Sequence, residues 1–158
     1  MLIRKENNEI GFFIISVFVL YLLYIVVAII SAIPTFLGWH ESNEVMKKIS
    51  LLLKGHQLMI VFISLTAGVT EELIFRGYML TRLMQFFEKP YIPVIVSSLA
   101  FSALHYKYHS LRELIFAFLI GVVFSIYYIQ YRNIKALIVT HFLIDFISLT
   151  LMQHFKLK

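Results

Sequence analysis

Long apolar runs alternate with short polar gaps along this chain. The first run, Ile10 to Ile33, holds 24 residues without a charge, about 36 Å of helix at about 1.5 Å per residue. It exceeds the signal-peptide core of about 7–15 residues, and no small-x-small cleavage pattern follows, so it reads as a retained membrane span. Pro34 and Gly38 close it. The polar stretch from Trp39 to Ser50 forms the connection, with Trp39 placed as an interfacial anchor. A second span starts at Leu51 or Gly55, runs to Thr70, and continues without a breaker through Glu71-Glu72-Leu73-Ile74-Phe75-Arg76-Gly77. From Tyr78 to Phe87, the residues Leu80, Leu83, Met84 and Phe87 recur at helical spacing. That piece is amphipathic, suited to the interface or to packing against other helices. Pro90 and Pro93 open a third helix, Tyr91 to about His105, which is short for a full span and so tucked against protein. A fourth span runs from Leu111 or Leu114 to Gln130, and a fifth from Ile134 to about Phe155. The pattern predicts an all-α, polytopic transmembrane bundle of about five membrane helices. Residues 1–50 form an N-terminal helix with its connection, and 51–158 form the core.

Composition agrees with a lipid-facing chain. Of 158 residues, 60% are apolar and 15% charged, against about 45–50% and 25% in soluble domains. A soluble fold this small lacks the interior to hide so much apolar surface. The absence of Cys excludes disulfides, thiolate metal sites and cysteine nucleophiles. A net charge of +5 raises the question of nucleic acid, but the cations flank the runs: Arg4 and Lys5, then Lys47, Lys48 and Lys54, then Lys107 and Arg112, then Arg132 and Lys135, then Lys156 and Lys158. Such cations meet lipid headgroups and water. The expected partners are therefore a lipid bilayer and no nucleic acid, and nothing in the sequence assigns an oligomeric state.

Against that background six side chains stand out: Glu71, Glu72, Arg76, His105, His141 and Asp145. A charge at bilayer depth costs about 2.5–3.5 kcal/mol on insertion scales, so residues kept there need partners and mark function by default. Glu72 and Arg76, spaced i, i+4, share a helix face and can pair. Glu71 is turned about 100° from Glu72 and addresses another partner. His105 ends the short third helix, four residues after Phe101. His141 and Asp145 are i, i+4 within the last span. A structural role fits each group taken singly: a charge cluster at a helix end, an interfacial His, a His–Asp hydrogen bond. Gathered from three helices into one polar pocket, the set suits activation of water and stabilisation of an oxyanion. It equally suits a divalent metal such as zinc held by Glu71, His105, His141 and Asp145. His40, His56, His109 and His154 sit near span ends and carry no assigned role. The aromatics Phe116, Phe118, Phe124, Tyr127 and Tyr128 read as lipid-facing or packing residues.

Other intramembrane hydrolases are eliminated by what the chain lacks. There is no H-E-x-x-H and no G-x-S-x-G, and Asp145 is the sole Asp, which excludes a two-aspartate site. Ser102 lies three residues before His105, a placement that does not by itself make a nucleophile.

Three segments resemble the motifs of the CPBP family, the CAAX-protease and bacteriocin-processing intramembrane proteases (Abi domain). Glu71-Glu72-Leu73-Ile74-Phe75-Arg76 is similar to E-E-x-x-x-R. Phe101-Ser102-Ala103-Leu104-His105 matches F-x-x-x-H. His141-Phe142-Leu143-Ile144-Asp145 matches H-x-x-x-N in a variant ending in Asp. The likeness runs from about Leu51 to Phe155. It implies the architecture of type II CAAX prenyl endopeptidases, a bundle with a polar intramembrane cavity, and a peptidase acting on a membrane-associated or C-terminal peptide or protein substrate. Carried over, Glu71 is the water-activating base, assisted by His105. Glu72 and Arg76 support the site as an ion pair, and His141 and residue 145 stabilise the oxyanion. The resemblance leaves open a metalloprotease or a metal-free glutamate mechanism.

Asp145 departs from the Asn form, because an ionised carboxylate accepts hydrogen bonds and donates none. The expectation is that Asp145 orients His141 by accepting its ring N–H. Three carboxylates against Arg76 leave two excess negative charges with neutral His, which a divalent ion or two protons would offset. Two non-enzymatic readings compete: a bacteriocin-immunity or membrane binding protein without catalysis, and a small ion-transporting bundle, although the repeat symmetry of many transporters is absent. The composition fits a multi-pass protein of a bacterial inner membrane.

Overall fold

The computed structural model describes residues 10–39 and 44–154. Arg4, Lys5, His40, Phe155, Lys156 and Lys158, singled out above, lie outside the described residues. Among the described residues every regular element is helical, with no strand.

Helix α1 spans Ile10–Ser31 and is followed by the short α2, Ile33–Phe36. Pro34 falls in the first turn of α2, where a missing N–H is tolerated, so the first apolar run continues to Phe36 before Gly38, in a left-handed conformation at φ 89°, ends it. α1 is apolar on every side. Ile14, Phe18 and Ile29 are exposed, whereas Leu20 and Val27 are buried against the rest of the bundle. Such a helix is stable only with lipid on its outer face.

The connection after α2 departs from the expected polar loop. Glu44–Leu53 forms a helix, α3, and takes in Leu51, the earlier of the two expected starts of the second span. Apolar Met46, Ile49 and Leu53 recur on one face, and α3 docks on the far end of the chain: Ser50 Oγ donates to Met152 O at 3.1 Å, and Gln153 Nε2 donates to Leu53 O at 2.9 Å. Gly55, at φ 79°, supplies the turn that separates α3 from the span behind it.

The second span then runs unbroken from Gln57 to Phe86. It comprises α4 (Gln57–Glu72), a π-helical segment (Leu73–Leu80) and α5 (Thr81–Phe86). The amphipathic piece expected from Tyr78 is thus the end of this rod. Leu80 is buried against protein, and Phe86 and Phe87 emerge from it. α6 (Tyr91–Leu104) has 14 residues, about 21 Å of helix, too short to cross a bilayer. It packs against the π segment and α7. A 3-10 turn, His105–Tyr108, follows, then α7 (Leu111–Tyr131) and α8 (Ile134–His154). Among the described residues four helices are therefore long and apolar enough to span a membrane, ending respectively at Phe36, Phe86, Tyr131 and Gln153, with α6 as a shorter fifth. The chain is an integral, multi-pass membrane protein.

Two close helix pairs build the core, α4 with α8 and α6 with α7, and a glycine sits in each. A Cβ at Gly68 would stand 3.1 Å from Ile138 O and 3.2 Å from Phe142 N on α8. One at Gly121 on α7 would stand 3.1–3.2 Å from the atoms of Ser98 on α6. Small residues let membrane helices approach backbone to backbone. The polar side chains gather where the two pairs meet. Apart from them, a largely apolar groove of about 350 Å³ lies between α1 and α7, lined by residues including Leu20, Val123, Tyr127 and Tyr131.

Candidate active site

Glu71 and Glu72 are the last residues of α4, where the α-helix passes into the π segment. π-bulges recur at functional sites because the wider turn re-aims side chains and frees backbone groups. Here the carbonyl of Arg76, inside the π segment, accepts from Thr81 Oγ1 at 3.1 Å.

Glu72 is the hub. It is 0% exposed, and its Oε1 accepts from two sides: Arg76 Nη1 at 2.7 Å on its own rod, and His141 Nδ1 at 2.7 Å on α8. Arg76, 1% exposed, donates through Nη2 to Gly121 O on α7 at 3.4 Å. Its guanidinium lies over the ring of Phe101 (4.6 Å to the centroid) and near that of Phe124 (5.3 Å). Such cation–π contacts contribute about 2 kcal/mol when desolvated. One buried ion pair thus ties together α4, the π segment, α6, α7 and α8.

The His141 ring is fixed in consequence. A carboxylate only accepts, so Nδ1 carries the proton donated to Glu72. Nε2 faces the other way, 3.8 Å from Glu71 Oε2 and 3.6 Å from Asp145 Oδ2. Both separations exceed hydrogen-bonding distance, so the Nε2 edge is not consumed by either. Glu71 Oε2 is buried without a hydrogen-bond partner. Asp145 therefore does not accept the Nδ1 proton: the orienting bond expected of it is made by Glu72. The signal was present in the i, i+4 placement of Glu72 and Arg76, but the Nδ1 partner comes from a different helix and has no local trace.

His105 begins the 3-10 turn after α6. Its Nδ1 donates to Phe101 O at 3.1 Å, and since a carbonyl only accepts, the neutral ring has its Nε2 lone pair free. Burial is the largest influence on this imidazole and pushes its pKa below the ordinary 6.5, against the raising effects of the Phe101 bond and of Glu113 and Asp145. Asp145 and His141 are near enough for their charges to act on it. The neighbouring Tyr108 ring stands edge-on to His105 with centroids 5.5 Å apart. Burial pushes the Tyr108 hydroxyl above 10.0, reinforced by the charges of Asp145, Glu71 and Glu113, so it stays a protonated donor.

All six sequence-derived candidates thus face one region, linked by direct contacts or within reach of one another's charge. Three further participants were not among them. Gly121 and Phe124 on α7 hold Arg76. An isolated glycine inside an apolar helix signals close backbone approach, whereas Phe124 had no mark distinguishing it from the other aromatics read as packing residues. Tyr108 is the third. Ser102 is structural: its Oγ donates to Leu114 O at 2.8 Å. Among the described residues no group of three or more His, Asp or Glu is arranged to hold a metal ion.

Comparison with known proteins gives a family match. The family whose model matches residues 54–147 is described as type II CAAX prenyl endopeptidase Rce1-like. It covers α4 through most of α8, and all six candidates lie within it. No curated protein and no solved structure shows a significant match.

Proposed function

The chain belongs to the type II CAAX prenyl endopeptidase Rce1-like family of intramembrane proteases, and from that premise we propose that it cleaves a membrane-associated or C-terminal peptide with water activated by Glu71 and His105. Glu71 takes a proton from a water held at His105 Nε2, and the hydroxide attacks the scissile carbonyl. The oxyanion forms beside His141. Protonated Glu71 then passes its proton to the leaving amine as the C–N bond breaks, which returns the carboxylate.

His141 acts in this scheme as an imidazolium, donating Nδ1–H to Glu72 and Nε2–H to the oxyanion. With Arg76 and His141 both cationic, the cluster they form with the three carboxylates carries a net charge of −1 rather than −2, which reduces the cost of burying it. Glu72 and Arg76 do not touch substrate. They hold His141 in position through the two 2.7 Å bonds to Glu72 Oε1. No step of this reaction passes through a metal.

The observation that carries the reading is that the adjacent carboxylates of α4 face opposite edges of one imidazole from α8: Glu72 Oε1 bonded to Nδ1 at 2.7 Å and Glu71 Oε2 3.8 Å from Nε2. The test is cleavage of an internally quenched peptide ending in a prenylated CAAX sequence by purified protein in liposomes, with metal content measured on the same preparation. Wild type is expected to cleave, and Glu71→Gln and His141→Ala to be inactive while folded. A biological effect that survives Glu71→Gln would favour a binding role instead.

A further inference from the structure

Asp145 leaves the proposed reaction one hydrogen bond short. Oxyanion sites work through convergent donors aimed at the developing charge, and His141 Nε2 supplies one. An ionised Asp145, its Oδ2 3.6 Å from that same Nε2, can only accept and so opposes a neighbouring oxyanion. Several other donors around the site are committed elsewhere, although Arg76 Nε is buried without a hydrogen-bond partner. Arg76 is enclosed by Phe101 and Phe124 and bonded to Glu72 and Gly121 O. Ser102 Oγ donates to Leu114 O, Thr140 Oγ1 to Ala136 O, and His105 Nδ1 to Phe101 O.

Tyr108 remains. It closes the 3-10 turn that begins with His105, and its half-buried ring meets the imidazole edge-on at 5.5 Å. The backbone around it is constrained: His109 takes a left-handed conformation at φ 53°, and Ser110 caps α7 by accepting from Glu113 N at 3.2 Å. The turn packs on both α6 and α7, which fixes the ring beside the candidate water site. The phenol is close enough to Glu71 and Asp145 to feel both charges. A Tyr hydroxyl is a neutral donor that brings no further charge into an already anionic cluster.

Building on the reaction proposed above, we propose that the Tyr108 hydroxyl is a second catalytic hydrogen-bond donor, which with His141 stabilises the oxyanion that Asp145 cannot serve. The phenol keeps its proton throughout: it forms a hydrogen bond as the tetrahedral intermediate forms and releases it as the carbonyl is regenerated.

The experiment measures kcat and KM on the quenched prenylated peptide for wild type, Tyr108→Phe, Asp145→Asn and the double variant, all in liposomes, with melting temperatures alongside. Tyr108→Phe is expected to lower kcat about 100-fold, the usual loss for one oxyanion donor, with KM within about twofold. In the Asp145→Asn background, where an amide can donate, the same change is expected to cost about tenfold or less. A Tyr108→Phe rate within about twofold of wild type overturns the inference. So does an equal loss in both backgrounds. A raised KM with a melting temperature lower by more than about 5 °C marks a packing role and also overturns it. Glu71→Gln that keeps the wild-type rate, or wild type that leaves the peptide intact, overturns the reaction itself, an outcome read independently of Tyr108→Phe.

Discussion

Glu72 Oε1 accepts a 2.7 Å hydrogen bond from His141 Nδ1 across 69 residues of sequence. The same oxygen takes Arg76 Nη1 at 2.7 Å, so a single buried atom sets both the pairing of α4 with α8 and the edge that His141 presents.

Glu72→Gln is expected to destabilise the protein by about 3–5 kcal/mol, because it leaves the Arg76 cation buried and unpaired. The pair is almost wholly shielded from water, at 1% and 0% exposure, so screening by solvent offers no relief. Glu72→Gln combined with Arg76→Met removes the orphaned charge and is expected to recover most of the stability while activity stays lost, since His141 loses its carboxylate partner. Thermal unfolding in detergent, with peptide cleavage on the same samples, checks both.

Asp145→Asn is expected to retain hydrolysis within about tenfold of wild type, whereas Glu71→Gln and His105→Ala lose about 10²–10⁴-fold, the usual contribution of general acid–base catalysis. The His141 ring is oriented by Glu72, not by Asp145, so an amide at position 145 leaves the ring in place. A dead but folded Asp145→Asn protein would show that the carboxylate itself is required.

The pH profile follows from His105. Burial lowers its pKa below 6.5, so the folded protein keeps this ring neutral, with a free Nε2 lone pair, at neutral pH. Its protonated form cannot accept a hydrogen bond from water. As pH falls through the folded pKa, kcat/KM is expected to decline, with the acid limb centred below 6.5 and no loss from this ring above it. An acid limb centred above 6.5 would assign that ionisation to another group.

Gly68→Ala and Gly121→Ala are each expected to destabilise by about 1–3 kcal/mol through overpacking. The new Cβ at Gly68 meets backbone atoms of α8 at 3.1 and 3.2 Å, and backbone cannot rotate away. At Gly121 the contacts at 3.1–3.2 Å include Ser98 Cα, and the shift would also move the carbonyl that receives Arg76. Gly11, with nothing within 4 Å of a Cβ, serves as the control and should change stability by less than about 0.5 kcal/mol.

Much of this arrangement was legible in the residues. Charges that interrupt an apolar run are costly enough to single out Glu71, Glu72, Arg76, His141 and Asp145, and all five lie within the stretch 54–147 that the family model matches. Span positions followed from run length within a few residues, except that the second span runs on to Phe86, well past the expected end at Thr70. The helix over Glu44–Leu53 was missed because its polar residues resemble a connection until its apolar face has something to dock on. The π segment was missed because nothing in Leu73–Leu80 distinguishes an i→i+5 turn from an i→i+4 one.

Local chemistry by itself determined that this chain lives in lipid, which side chains are too polar to be there without a reason, and that Glu72 can reach Arg76, since i, i+4 neighbours meet on any helix. Tertiary structure alone decided which nitrogen of His141 each carboxylate faces, that Glu72 and not Asp145 orients that ring, and that Gly121 and Phe124 enclose Arg76. Those relationships join residues tens of positions apart, and they depend on how closely two pairs of helices approach. Side-chain volumes at the crossing points set that distance, and no window of sequence contains both sides of a crossing.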